Sequence, residues 1–275
     1  MNPLGRRLWA DPAGRLGTVV LLLLVVAVIV LPPLLPAPWL QPDIAHGGLA
    51  PGTRHLLGTD HLSRDVLSRV VSGGRISLLV AAGAVAMSLT LGTLVGLVAG
   101  YSGGWIDAVL MRLVDATLAV PRLFLLLLLV AALERIPLSV LILSIGATGW
   151  LGTSRLVRAE VLKLKTLDFI RGAVALGARP ARVIFTHLLP NVTGPLAVAT
   201  TLAVGDVILL EAGLSFLGLG VQPPTPSWGG MILDAKPYIV SAPWTSLAPG
   251  AAIVLTVLAV NLVGDALSHA QAEDG

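Results

Sequence analysis

The chain has 275 residues, of which 55% are hydrophobic and 12% are charged, and its mean hydropathy is +0.89. Soluble domains carry about 25% charged residues, so this composition excludes a water-soluble globular protein and indicates an integral membrane protein. The sequence contains no cysteine, which excludes disulfides, thiolate metal sites and cysteine nucleophiles. The formal net charge is +3, so the distribution of charge along the chain matters more than its sum.

The first 72 residues form the N-terminal segment. A short basic stretch precedes an apolar run from Gly17 to Leu35, which is long enough to cross about 30 Å of hydrocarbon. A secretory signal also begins basic and then apolar, but here the apolar run is long and proline-rich sequence follows it. We therefore expect a retained transmembrane helix and then a polar extracytoplasmic loop up to residue 72. Residues 73–275 are expected to form the core, with five more spans.

The second predicted span, Gly73–Gly100, carries a stripe of small residues. Ala84, Ser88, Gly92, Gly96 and Gly100 recur every four residues. Residues at this spacing share one helix face, and small side chains let another helix approach closely. We expect Gly92, Gly96 and Gly100 to form a helix-packing surface.

The third span is predicted to run from about Ile106 to Leu133, with a kink at Pro121. Asp115 and Arg122 are seven residues apart and share a helix face, so a structural ion pair is favoured over a substrate site. The fourth span is predicted from Leu138 to about Val157.

A basic segment, residues 151–191, follows the fourth span. It contains two acidic residues, Glu160 and Asp168, and seven basic ones: Arg155, Arg158, Lys163, Lys165, Arg171, Arg179 and Arg182. A helix is predicted from about Asp168 to Leu176, closed by Gly177, and a second from Ala181 to Leu189, ended by Pro190. Such a compact, polar helical protrusion is typical of a docking surface.

The fifth span, about Gly194–Leu217, contains Asp206 and Glu211. At 1.5 Å per residue, Glu211 lies about 25 Å across the membrane, near its outer end. Its carboxylate fits either a hydrated substrate path or a buried hydrogen-bonded site between helices. A loop rich in proline and tryptophan leads to the sixth span, about Leu247–Leu267. Six crossings place both termini on the same side.

Charge indicates the orientation. The basic segment has an excess of five positive charges, which places it and both termini in the cytoplasm. One region argues against this assignment. Four arginines would lie outside, partly balanced by three acids: Arg54, Arg64, Arg69 and Arg75, with Asp43, Asp60 and Asp65.

Two other classes of protein fit parts of the sequence. A secondary transporter needs charged pathway residues, and Asp206 and Glu211 fit a proton relay, but no inverted repeat is visible. An intramembrane metalloenzyme would use His46, His55 and His61. Their spacings of nine and six residues in a loop are unlike those of zinc ligands, so we interpret them as solvated histidines.

Three blocks carry a family resemblance. They are LLGTDHLSRDVLSRVVSGGRISL (56–78), FIRGAVALGARPARVIFTHLLPN (169–191) and EAGLSFLGLGVQPPTPSWGGM (211–231). With their order and spacing, they resemble the permease subunits of ABC importers for dipeptides, oligopeptides and, in some members, nickel or glutathione. The resemblance runs from about Leu56 to the end. It implies a type I importer permease: an all-α polytopic protein of six transmembrane helices with a cytoplasmic coupling loop, residues 155–191.

The second block is similar to the loop on which that family docks its ATPase. Arg171, Gly172 and Ala173 stand where the family pattern has Glu-Ala-Ala, while Gly177, Leu189 and Pro190 match it. Because Arg171 stands where the family pattern has an acidic residue, the local charge is inverted. The resemblance therefore implies either a compensating acid on the ATPase or a mainly steric contact.

The resemblance also implies the partners. They are a second permease subunit, two ATP-binding subunits and an extracytoplasmic substrate-binding protein, all at the inner membrane of a bacterium, with the lipid bilayer as solvent and no nucleic acid. The sequence lacks the G-x-x-x-x-G-K-[ST] phosphate loop, so ATP is expected to bind the partner subunits and this chain is expected to be neither an enzyme nor a cofactor protein. Glu211 and Asp206 are the candidate residues of the translocation path.

Overall fold

A computed structural model describes residues 8–35, 47–131 and 136–272 as a bundle of helices. The helices are α1 (Pro12–Val30), α2 (Val66–Ser102), α3 (Gly104–Leu118), α4 (Arg122–Ala131), α5 (Leu138–Leu164), α6 (Asp168–Ala175), α7 (Pro180–Phe216), α8 (Trp228–Ala235) and α9 (Trp244–Ala272). Short 3₁₀ turns lie at Pro32–Leu34 and Lys236–Tyr238. The predicted all-α polytopic fold is confirmed.

Five of the described helices are long and apolar enough to cross a membrane: α1, α2, α5, α7 and α9. The predicted third span is instead divided into α3, of 15 residues, and α4, of 10 residues. Pro121 separates them because it supplies no backbone N–H and disfavours helical conformation in the residue before it. The six-crossing count is therefore not confirmed.

Two helices extend beyond their predicted bounds. α2 begins at Val66, seven residues early, because the Asp65 side chain caps it by accepting a 2.7 Å hydrogen bond from the Ser68 N–H. α5 continues to Leu164, so Arg155, Arg158 and Lys163 of the basic segment lie on this helix rather than in a loop.

α7 corrects the prediction that Pro190 ends a helix. The helix runs without interruption from Pro180 to Phe216, and a π-helical turn occupies Val183–Leu188. Pro190 has no N–H for an ordinary helical bond, and the wider turn directly before it accommodates that loss.

The long helices pack through small residues. A Cβ atom added at Gly92, Gly96 or Gly100 of α2 would lie 2.6–2.8 Å from atoms of α5. At Gly14 of α1 it would lie 2.5 Å from the Cβ of Ala266 in α9. The backbones therefore approach one another more closely than any side chain at these positions allows.

The two ends of the bundle differ. The first residues of α1 lie beside the last residues of α9. The last residues of α2 and of α5 lie at this same end of the bundle. At the opposite end, the loop of residues 47–65 contacts the start of α9, where the Trp244 indole N–H donates to the Thr59 carbonyl at 3.0 Å. We call these the α6 end and the loop end.

Candidate functional site

The most distinctive structure at the α6 end is the docking segment, residues 168–190. Helix α6 finishes in a Schellman turn: the Gly177 N–H bonds to the Val174 carbonyl at 2.9 Å, and the Ala178 N–H bonds to the Ala173 carbonyl at 3.1 Å. Gly177 has φ +80°, a left-handed conformation that costs side-chain-bearing residues about 1–2 kcal/mol. Arg179 is extended (ψ 146°), as expected before Pro180, and α7 starts there.

A separate apolar cluster fixes the docking segment to the bundle. Ile170 of α6 and Val183 and Leu188 of α7 are fully buried. They pack in one cluster with Leu97 of α2 and with Val157, Val161 and Leu164 of α5. Because protein interiors are close-packed, these contacts make the segment move together with the ends of three membrane helices.

Charged side chains add to this attachment. The Lys165 ammonium donates to the carbonyls of Gly100 (3.1 Å) and Tyr101 (2.8 Å), which are among the unpaired acceptors at the end of α2. Arg158 of α5 binds Asp107 of α3 through two N–H groups, at 2.5 and 2.6 Å. The first contact joins the end of α5, directly before the docking segment, to the end of α2, and the second joins α5 to α3.

The outer face of the docking segment is exposed and of mixed character. Leu176 is 91% exposed, and Phe169, Val174 and Phe185 are about half exposed or more. Among the residues that the structure describes, Arg171, Arg179 and Arg182 on this face have no ion-pair partner. Exposed apolar groups at the tip of a rigid element are typical of a protein-binding surface.

The predicted docking residues divide into two groups. Arg171, Gly172 and Gly177 are exposed, and a Cβ added at Gly172 or Gly177 would meet no atom within 4 Å. Ala173 is half-buried, and Leu189 packs against the apolar cluster beside the exposed Pro190. The first group is available to a partner, and Leu189 holds the segment in place.

Glu211 lies inside the bundle with no exposed surface. Its two carboxylate oxygens accept hydrogen bonds from Ser77 of α2 (3.0 Å) and Ser215 of α7 (2.8 Å). Ser215 lies 3.3 Å from Ser227, which caps α8. This arrangement matches the buried-site interpretation of Glu211, and its place in a translocation path stays a prediction.

Asp206 lies elsewhere, on a mainly apolar cavity of about 270 Å³ that Arg122 also lines. The expected ion pair between Asp115 and Arg122 is wrong: Asp115 pairs with Arg155 of α5, and Arg122 donates to the Ile145 carbonyl at 2.8 Å and to Thr148 Oγ1 at 3.2 Å. The break at Pro121 removes the shared helix face on which the prediction depended.

The loop end carries an ionic cluster. Asp60 Oδ2 accepts from Arg64 (2.6 Å) and Arg69 (2.5 Å), and Arg69 also binds Asp234 at 3.0 Å. Burial raises the pKa of Asp60, but the Arg64 N–H and the charges of Arg69 and Arg64 outweigh it, so the net pKa lies below the usual value. Two of the four arginines that argued against the orientation are therefore neutralised within the fold.

The loop histidines have structural contacts. His55 bonds to Asp65 at 2.9 Å, and His61 stacks on Tyr238 with ring centroids 4.6 Å apart. His46 and Asp43 lie outside the described residues. Within residues 8–35, 47–131 and 136–272, no group of three potential metal-binding side chains occurs.

Sequence reasoning missed two elements. The segment after α7, taken as a loop, contains α8, whose Trp228 is buried and donates its indole N–H to the Val70 carbonyl at 2.9 Å. The sequence also contains no indication that Arg69 pairs with Asp234, which lies 165 residues away. The Ser-Trp pair after a proline run was the available signal for α8, because serine favours helix caps. No local pattern indicates the distant ion pair.

Residues 92–273 match the family model of the binding-protein-dependent transport system inner membrane component. The chain is 43% identical, over 80% of its length and 72% of the relative, to the dipeptide transport system permease protein DppC of Alkalihalophilus pseudofirmus. It is 41% identical to a putative peptide permease of Brucella suis (96% and 88% covered) and 34% identical to the oligopeptide permease OppC of Bacillus subtilis (96% and 86%). With its bundle of apolar helices, the chain belongs to the family of inner membrane components of binding-protein-dependent transport systems.

Proposed function

We propose that this chain is the permease subunit of an ATP-driven importer of short peptides. It forms the translocation path with a second permease subunit in the bacterial inner membrane, and two ATP-binding subunits and an extracytoplasmic binding protein complete the complex. The names of the relatives, which are dipeptide and oligopeptide permeases, support peptides as the cargo. Nickel and glutathione are the alternative cargoes.

The observation that carries the proposal is the rigid attachment of an exposed protrusion. The docking segment presents Leu176, Phe169 and Arg171 outward, while Ile170, Val183 and Leu188 are buried against α2 and α5. A push on such a segment moves the membrane helices as one body, which is what alternating access requires. We assign the ATP-binding subunits to this surface, with an acidic group on the partner opposite Arg171.

This assignment fixes the orientation. The α6 end and both termini lie in the cytoplasm, where the unpaired Arg171, Arg179 and Arg182 satisfy the positive-inside rule. The loop end faces the binding protein. The divided pair α3 and α4 completes the sixth crossing as a broken helix, which is tolerated in a membrane where neighbouring helices cover the break.

Uptake by the reconstituted complex tests the function. The chain is co-expressed with its partner subunits, reconstituted in proteoliposomes with ATP inside and loaded binding protein outside, and supplied with labelled dipeptide, tripeptide, glutathione or Ni²⁺. We expect dipeptide accumulation that stops when a non-hydrolysable ATP analogue replaces ATP. Accumulation of Ni²⁺ or glutathione alone would show that the cargo is not a peptide. Uptake driven by a proton gradient without ATP would contradict the assignment as an ATP-driven importer.

A further inference from the structure

The cavity beside Asp206 lies well inside the helix bundle, away from the ends of α5 and α7. It is lined by α2, α4, α5 and α7, with Ser88, Arg122, Gly152, Thr153 and Asp206 among its residues. Arg122 bonds to Thr148, ten residues from the start of α5, and Asp206 is ten residues from the end of α7. At 1.5 Å per residue, both groups lie about 15 Å from the loop-end termini of α5 and α7, which is half the thickness of a hydrocarbon core of about 30 Å.

Two opposite charges face this cavity without neutralising each other. Asp206 is exposed, and within the described part of the chain it has no hydrogen-bond or ion-pair partner, although its charge acts on Arg122 across the cavity. Arg122 uses two of its five N–H donors, for Ile145 and Thr148, so three remain. An unpaired carboxylate at this depth is strongly disfavoured unless it meets water or a cationic group.

The volume of the cavity suits a small ligand. Its volume of about 270 Å³ is near the lower limit of small-molecule pockets, about 300 Å³. A Cβ at Gly152 would meet no atom within 4 Å, so the wall is open at this point. A cavity lined by a guanidinium with unused donors and by an unpaired carboxylate suits a molecule that carries both charges.

We propose that this cavity is a mid-membrane binding subsite for a zwitterionic peptide, whose terminal carboxylate meets Arg122 and whose ammonium group meets Asp206. The subsite rests on the proposed function, because it takes peptides to be the cargo. It assigns to Arg122 a role in substrate recognition and gives Asp206 a specific partner in the path. The competing interpretation is that a helix of the second permease subunit, rather than a peptide, fills this cavity.

Peptides with blocked termini test the subsite in the wild-type complex. The binding protein is saturated with a dipeptide, its N-acetyl form or its C-terminal amide, and peptide carried per ATP hydrolysed is measured in proteoliposomes. Loss of either terminal charge is expected to lower this ratio about tenfold, because a hydrogen-bonded charge is left without its partner. Equal ratios for the three peptides would overturn the subsite.

Charge-removing variants assign each terminus to its residue. Asp206→Asn should lower the ratio about tenfold for the free dipeptide and leave the N-acetyl form as in the wild type, and Arg122→Gln should do the same with respect to the amide. Asp115→Asn is the matched control, because it removes a charge from an exposed ion pair. If Asp206→Asn and Arg122→Gln keep the wild-type ratio, as this control should, the subsite is wrong.

Different results would overturn the proposed function and the subsite. A wild-type complex that carries no peptide with ATP overturns the proposed function, and the subsite with it. A wild-type complex that carries all three peptides equally overturns the subsite alone. The peptide series needs no variant, so it decides the question even if a charge-removing variant does not assemble.

Discussion

The Lys165 ammonium donates a 2.8 Å hydrogen bond to the Tyr101 carbonyl, which joins the base of the docking segment to the end of α2. The Lys165 side chain also passes over the Tyr101 ring, with Nζ 5.7 Å from the ring centroid. In this account, the contact helps transmit motion from the docking segment to a helix that crosses the membrane.

Replacement of Lys165 should therefore weaken coupling. Lys165→Met keeps the apolar stem but removes the donors to Gly100 and Tyr101, so peptide carried per ATP hydrolysed should fall several-fold. Lys163→Met is the matched control, because the Lys163 side chain is exposed and forms no hydrogen bond with the described residues. Equal ratios for the two variants would contradict a coupling role for Lys165.

The close contact between α2 and α5 predicts a stability effect. A Cβ at Gly96 would lie 2.6 Å from Val157 Cβ and from the Ser154 carbonyl, so Gly96→Ala should destabilise the protein by about 1–3 kcal/mol through overpacking. At Gly250 of α9 the same methyl group would meet nothing within 4 Å, so Gly250→Ala serves as the control. The midpoint of thermal unfolding in detergent should fall for the first variant only.

The hydrogen bonds of Glu211 predict a structural role that one pair of variants tests. Glu211→Gln keeps a group that bonds to Ser77 and Ser215, so assembly and uptake should stay near wild type. Glu211→Ala removes the acceptor of the Ser77 and Ser215 hydroxyl groups and leaves a void, so it should cost about 2–5 kcal/mol of stability. Normal assembly of Glu211→Gln with impaired uptake would instead place Glu211 in the translocation path.

Asp60 predicts a dependence of stability on pH. Its lowered pKa means that its ionised form stabilises the fold fully above the ordinary value of 3.8, and that this contribution is lost as the pH falls through the lowered pKa. The difference in melting temperature between wild type and Asp60→Asn should therefore be constant from about pH 5 to pH 8 and shrink only below about pH 4. A difference that already shrinks near pH 6 would contradict the ionised cluster with Arg64 and Arg69.

Sequence reasoning succeeded where the determining interaction is local. The end of α6 follows from Gly177, because glycine adopts positive φ without cost. The contact surface on α2 was predicted from the four-residue spacing of Gly92, Gly96 and Gly100. The kink predicted at Pro121 is a complete break in the helix. Residue spacing indicates where a proline interrupts a helix, but it does not indicate how far the helix bends there.

The remaining features depend on pairs that are distant in the sequence. Arg155 pairs with Asp115, which is 40 residues away in the sequence, and Arg69 pairs with Asp234, which is 165 residues away. Only the packing of α3 against α5 and of α2 against α8 brings these groups together. The π-helical turn before Pro190 has the same origin, because the buried contacts of Val183 and Leu188 hold the helix in line through the proline.

The most direct measurement is the co-purification of the ATP-binding subunits with Gly177 variants. Gly177→Val forces a β-branched residue to φ +80° and should distort the turn that presents Leu176 and Arg171, so the ATP-binding subunits should be lost while membrane insertion is normal. Gly177→Asn is the matched control, since asparagine tolerates this conformation, and it should retain them. Normal co-purification of the ATP-binding subunits with Gly177→Val would contradict the assignment of the docking segment to that partner.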